Sequence, residues 1–182
     1  MTSSMDAVVS IHREERLHLR ALLSAAAASR LFVRQVCASW GLDQEKIDEA
    51  ELLASELVSN AITASGVTDS RPILAVQTAN MQLIGIRLLA LDDGLVIEVW
   101  DTSPRPPCLI ESGDFSEHGR GLQLVDALSI RWGYYNSGVS AKVVWCQLAL
   151  GAAEPSPGGL GDVDAFERVL GTLARHPWDE HA

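Results

Sequence analysis

ELLASELVSNAITAS, residues 51 to 65, decides how the rest of the chain is read. Ala50, Leu53, Ala54, Leu57, Val58, Ala61 and Ile62 recur at intervals of three and four, which gives a helix one apolar, core-facing side. Glu56 and Asn60 are four apart and lie one above the other at the border of that stripe. A carboxamide oxygen suits a hard cation such as Mg²⁺, and a carboxylate beside it can orient or deprotonate an attacking hydroxyl or water. Taken alone, the same pair also reads as a solvated Glu and Asn on an amphipathic helix.

Upstream, residues 1 to 15 are polar and are expected to be loosely held. Leu17, Leu19 and Ala21 alternate with His18 and Arg20, which predicts a short edge strand over residues 16 to 22. Ala25 to Trp40 reads as a helix burying Leu31, Phe32, Val36 and Trp40, and Gly41 stops it. After the turn Leu42-Asp43-Gln44 the central helix runs from Ile47 to Ala64, followed by loop chemistry over residues 65 to 72.

Downstream, ILAVQTA (73 to 79) suggests a strand, and Ile84 to Leu91 and Leu95 to Trp100 flank Asp92-Asp93-Gly94 as a hairpin. Residues 101 to 119, DTSPRPPCLIESGDFSEHG, are too long for an ordinary connection and read as a functional loop or lid. Leu122 to Leu128 forms a short helix, and Ile130 to Tyr135 and Lys142 to Leu150 are two more strands. From Gly151 the Pro, Gly and Ser content marks a linker, with a terminal helix expected over Val163 to Ala174. The organisation is therefore a flexible terminus (1 to 15), one domain (16 to 150) and a linker with a C-terminal helix (151 to 182). Hairpins dominate and no repeated βαβ pattern is present. The fold class is α/β, a two-layer sandwich with a mixed, mainly antiparallel sheet packed against helices.

A chain of 182 residues with 47% hydrophobic and 21% charged content has an ordinary globular composition. Its net charge of −10 argues against direct nucleic-acid binding and against an anionic membrane surface. A small anionic ligand then needs backbone donors, a cation or a few placed basic residues. Cys37, Cys108 and Cys146 lack CxxC spacing and fit reduced thiols in a cytoplasm. No signal-peptide pattern is present, and no apolar run reaches the ~18 residues of a membrane span. The expected location is cytoplasmic.

Further candidates follow from residue type and placement. Asp101 ends an apolar strand, where a carboxylate can accept a hydrogen bond from an exocyclic amine such as that of adenine, or simply cap the next turn. Gly119 and Gly121 precede a helix, so backbone N–H groups can approach a phosphate there; a glycine hinge is the plainer reading. Neither GxxxxGK[ST] nor a full GxGxxG is present. Lys142, one of two lysines in the chain, could reach a phosphate or sit exposed at a strand edge.

The joint order of these pieces is specific. SELVSNA on a helix, VWDTSPRPP at a strand end, HGRGLQLVDAL after a long loop, and then AKVVWCQL resemble the N, G1 and G2 boxes and final strand of the GHKL (histidine kinase/HSP90-like) ATPase superfamily. The nearest likeness is to its bacterial branch of anti-sigma-factor serine kinases, over residues 16 to 150. The resemblance implies a Bergerat-type sandwich that binds ATP with Mg²⁺. It implies Glu56 as general base and Asn60 as Mg²⁺ ligand. Asp101 matches the adenine-reading aspartate, with Ser103 where many relatives carry Gly. Gly119, Arg120, Gly121 and Leu122 match the lid and helix start that close over the phosphates, and Lys142 a basic residue common before the last strand. Ala64 and Val143 depart from polar and hydroxyl residues frequent in relatives.

The activity implied is transfer of the ATP γ-phosphoryl group to a serine or threonine on a partner, in partner-switching transcriptional control. Phosphoryl transfer is mostly positioning and electrostatics, so a site of this size is sufficient. The partners implied are a sigma factor, an anti-sigma-factor antagonist, or both, and the resemblance also implies a homodimer. A nucleotide-gated binding module with little or no kinase activity is the competing reading, favoured by Ala64 and Val143; Glu56 favours the kinase. A histidine-kinase catalytic domain fits less well, since no phosphoacceptor helix pair accompanies the domain.

Overall fold

The computed structural model describes residues 10–65, 82–103, 107, 120–137 and 141–151. In chain order these form β1 (Ile11–Arg20), α1 (Ala25–Trp40), α2 (Gln44–Ala64), β2 (Leu83–Leu91), β3 (Gly94–Asp101), α3 (Arg120–Leu128), β4 (Arg131–Ser137) and β5 (Ala141–Ala149). The strands make one sheet in the order β1-β2-β3-β5-β4, and every neighbouring pair is antiparallel. This is the expected two-layer sandwich. The expected strand at 73 to 79, the terminal helix at 163 to 174 and most of the 101 to 119 loop lie outside the described residues.

α1 starts on four alanines, which carry the lowest conformational cost in a helix. It ends at Gly41, whose φ of 83° is left-handed; the amides of Gly41 and Leu42 bond back to Ala38 and Cys37. Its buried side matches the expected one in part: Val36 is buried and Phe32 and Trp40 pack half-buried against the core, but Leu31 does not. Ala25, Ser29, Val33, Val36 and Cys37 face the core, while Leu31 is 63% exposed. The small residues at four-residue spacing let α1 lie close to its neighbours, and that rotation turns Leu31 to solvent.

α2 starts three residues earlier than its apolar pattern indicates. Asp43 caps it, its carboxylate accepting from the Lys46 amide at 2.9 Å, and Glu45 complements the dipole in the first turn. The expected stripe is buried intact, from Ala50 to Ile62. α1 and α2 are locked side by side where Arg34 grips both oxygens of Glu51 at 2.5 and 3.0 Å and Arg30 donates to Ser55 at 2.8 Å.

The helices cover one face of the sheet. Leu17 and Leu19 of β1, Ile84, Ile86 and Leu88 of β2, Leu95, Ile97 and Val99 of β3, and Val144, Cys146 and Leu148 of β5 pack with them in one core. The alternate residues point away, where Leu89, Leu91, Val96 and Trp145 form a second cluster. That face also buries a charge network. Arg87 donates to Glu98 at 2.5 Å, Glu14 lies 3.6 Å from Arg87, and the Tyr135 hydroxyl donates to Glu98 at 3.2 Å.

Two boundaries differ instructively. β1 begins at Ile11, within the segment expected to be loose, because its mostly exposed charged residues still pair with β2, in register from Arg20 to Arg13 and then, past a register shift, with Ile11 opposite Leu91. Gly94 belongs to β3 itself. A Cβ there would sit 2.6 Å from Gln147 Nε2 and 2.8 Å from the Leu148 carbonyl, so close approach to β5 demands the glycine.

Candidate functional site

Two groups of predicted site residues come together. The first joins α2 and α3. Glu56 and Asn60 are half-buried on one face of α2, and Gly121, in the first turn of α3, lies directly against them. A Cβ on Gly121 would fall 2.5 Å from Glu56 Oε2 and 3.7 Å from Asn60 Nδ2. Glycine is therefore what lets this backbone meet the carboxylate. Leu122 is buried beside it and Val125 anchors α3 in the core. The Trp132 indole donates to Asp126 at 2.9 Å and ties α3 to β4. α3 starts at Arg120, two residues before the apolar pattern suggests; Gly119 lies outside the described residues, as does the side chain of Arg120.

The Asn60 amide nitrogen is buried with no hydrogen-bond partner among the described residues. A buried polar atom without a partner is costly, so its place is suited to a group that the described residues do not supply. A half-turn of the carboxamide presents its oxygen at the same position. Among the described residues no cluster of three or more His, Cys, Asp or Glu could hold a metal ion. Asn60 would offer Mg²⁺ one neutral protein oxygen, a donor type that this hard cation accepts.

The second group joins the ends of β3 and β5. Asp101 is 1% exposed; its Oδ1 accepts from the Ser103 amide at 2.7 Å, and Ser103 is buried with it. Asp101 therefore caps its turn and still points a carboxylate into the helix-facing side of the sheet. Lys142 is placed otherwise than its sequence context suggests. It is neither exposed nor free to range toward a phosphate: it is 3% exposed, stands opposite Asp101 in the strand register, and holds Nζ 3.4 Å from Asp101 Oδ2. Burial pushes the Asp101 carboxyl above the usual carboxylate range, against the opposing pull of Lys142 and the Ser103 amide.

Thr102, between Asp101 and Ser103, is a residue that sequence reasoning passed over. Its hydroxyl is buried without a partner among the described residues. The signal was there in the DTS triplet, but a threonine after a strand-ending Asp has no distinctive pattern of its own. Val143, in contrast, drops out. It alternates with Val144 and shares the Trp145 side of β5, away from the helices, so its lack of a hydroxyl does not bear on this site.

One helix face thus offers a carboxylate, an amide and a backbone approached through glycine, and one strand pair offers a buried acceptor beside a buried donor. Residues 19–147 match the histidine kinase-like ATPase domain, and the chain belongs to that family. The family lies within the GHKL superfamily that the motif order resembles. No curated protein matches the chain. No helix among the described residues is long and apolar enough to cross a membrane.

Proposed function

We propose that this chain is an ATP-binding regulatory protein that acts as a serine/threonine kinase of the anti-sigma-factor type, in the cytoplasm. Family membership supports ATP binding. The observation that carries the kinase reading is the contact of Glu56 with Gly121, on the same helix face as an Asn60 amide that lacks a partner among the described residues. A carboxylate held against the glycine that opens α3 stands where a helix N-terminus can receive phosphate oxygens.

In this mechanism the adenine amine donates to Asp101, and the phosphates lie toward the start of α3. Bound through Asn60, Mg²⁺ supplies charge neutralisation on the phosphate oxygens. A partner hydroxyl attacks the γ-phosphorus, Glu56 takes its proton, the bond to the β,γ-bridging oxygen breaks, and ADP leaves. The phosphorylated partner gains a dianion and changes its contacts. The partner class is a sigma factor or the antagonist of an anti-sigma factor; the acidic chain, at −10, suits a basic patch on it.

The test combines calorimetry with labelled-phosphate transfer to such partners. Mg²⁺-dependent ATP binding by the wild type, lost in Asn60→Ala, with transfer abolished by Glu56→Gln while binding persists, is the expected pattern. Binding without transfer to any partner, unaltered by Glu56→Gln, replaces the kinase with a nucleotide-gated binding module. Absence of ATP binding by the folded wild type overturns the reading altogether.

A further inference from the structure

The pairing of Lys142 with Asp101 says more than that a buried aspartate has found a counter-ion. Lysine is costly to bury, and where a carboxylate only needs its turn closed the Ser103 amide already closes it. Yet β5 begins by directing one of the chain's two lysines inward, 3% exposed, to the single strand position opposite Asp101. Nζ stands 3.4 Å from Oδ2, a loose contact for an ammonium–carboxylate pair. The two groups therefore lie side by side on the helix-facing side of the sheet, an acceptor next to a donor.

We infer that Lys142 reads the base directly, donating a hydrogen bond to ring N1 of adenine while Asp101 accepts from the neighbouring exocyclic amine. The inference rests on the ATP reading above and deepens it. On its Watson–Crick edge adenine carries an amine donor next to the N1 acceptor, and a carboxylate beside an ammonium is the complement of that order. Guanine carries the reverse order, an acceptor at the exocyclic position and a donor at N1, and it needs the two protein groups exchanged. The ammonium has three N–H donors, so a bond to Asp101 and one to the base are compatible. In this assignment Lys142 is a specificity-determining residue at the base, and carries none of the phosphate charge.

The experiment measures binding of ATP, 1-deaza-ATP (which lacks the N1 acceptor) and GTP to the wild type, Lys142→Met and Lys142→Gln, with circular dichroism to check folding. The readout is the ratio of affinities within each protein, which is insensitive to a uniform loss of site quality. The wild type is expected to favour ATP over 1-deaza-ATP by roughly tenfold or more, since the lost bond has a charged donor. Lys142→Met brings that ratio close to one, and Lys142→Gln, which keeps an N–H donor, retains part of it. Equal binding of the two nucleotides by the wild type overturns the inference, as does an unchanged ratio in a folded Lys142→Met. Should Lys142→Met not fold, the Gln variant decides: a ratio reduced below the wild type's supports the inference, and an unchanged ratio refutes it. Preference for GTP refutes the adenine assignment. A wild type that binds no nucleotide removes the ATP reading and this inference together, and is told apart from the other outcomes by the ATP arm alone.

Discussion

Replacing Gly121 by Ala separates catalysis from stability at a single methyl group. The added Cβ would stand 2.5 Å from Glu56 Oε2, whereas ordinary contact begins at 3.4 Å, so one partner must give by about 0.9 Å. The atom in the way is the far end of a flexible side chain, and the helix backbone of α3 is not, so the Glu56 carboxylate retreats. The fold loses little: alanine is favoured over glycine inside a helix by about 0.5–1 kcal/mol, which offsets the repacking. The chemistry loses a great deal, because a displacement near 1 Å at a reacting group costs on the order of a hundredfold in rate. Urea denaturation should thus place the variant within about 1 kcal/mol of the wild type, while ATP turnover falls roughly a hundredfold. Turnover within a few-fold of wild type would refute the placement of Glu56 at the reacting phosphate. A loss of stability well beyond 1 kcal/mol would show the contact to be a packing constraint instead.

Two further outcomes follow from buried charge. Asp101 has its carboxyl raised by burial, so ATP affinity should decline on acidification at a pH above the ordinary aspartate range of about 4, as the acceptor for the amine takes up a proton. The sign for stability is opposite: a folded pKa above the unfolded one stabilises the fold most below the unfolded pKa and loses that contribution as pH rises through the folded value. Affinity measured by calorimetry and unfolding measured in urea should therefore diverge between neutrality and mild acid, and parallel decline of both would contradict the assignment. On the other face, Arg87 and Glu98 are 1% and 0% exposed. Arg87→Ala strands Glu98 and should cost about 3–5 kcal/mol, whereas Arg87→Met with Glu98→Leu should be near neutral or stabilising; urea titration of both distinguishes a network needed for folding from one that is replaceable.

Much of this architecture is legible in local pattern. The α2 stripe, both ends of α1 and the β2–β3 hairpin follow from spacing and from Gly41, because each depends on residues a few positions apart. The exposure of Leu31 is not, since the exact rotation of α1 is set by what it packs against, and Leu31 is as apolar as the buried Val33. The Arg87–Glu98 pair was available to a closer reading: with Asp92 and Asp93 at the hairpin tip, the two lone charges fall opposite each other. Lys142 was not available in that way. Its burial depends on the register between β3 and β5, which are separated in sequence by α3 and β4, and no local periodicity encodes that alignment.

The strand order has a dynamic consequence. β3 and β5 are interior strands, hydrogen-bonded on both sides, and Asp101 and Lys142 sit on them. α3, nine residues long, is held through its contacts with α2 and β4, and β4 is an edge. Amide protons of β3 and β5 should then exchange only when the whole domain opens, and those of α3 through cheaper local openings. A nucleotide would find one wall of its site permanent and the other renewed with each excursion, so release can begin at the phosphate end without disturbing the sheet.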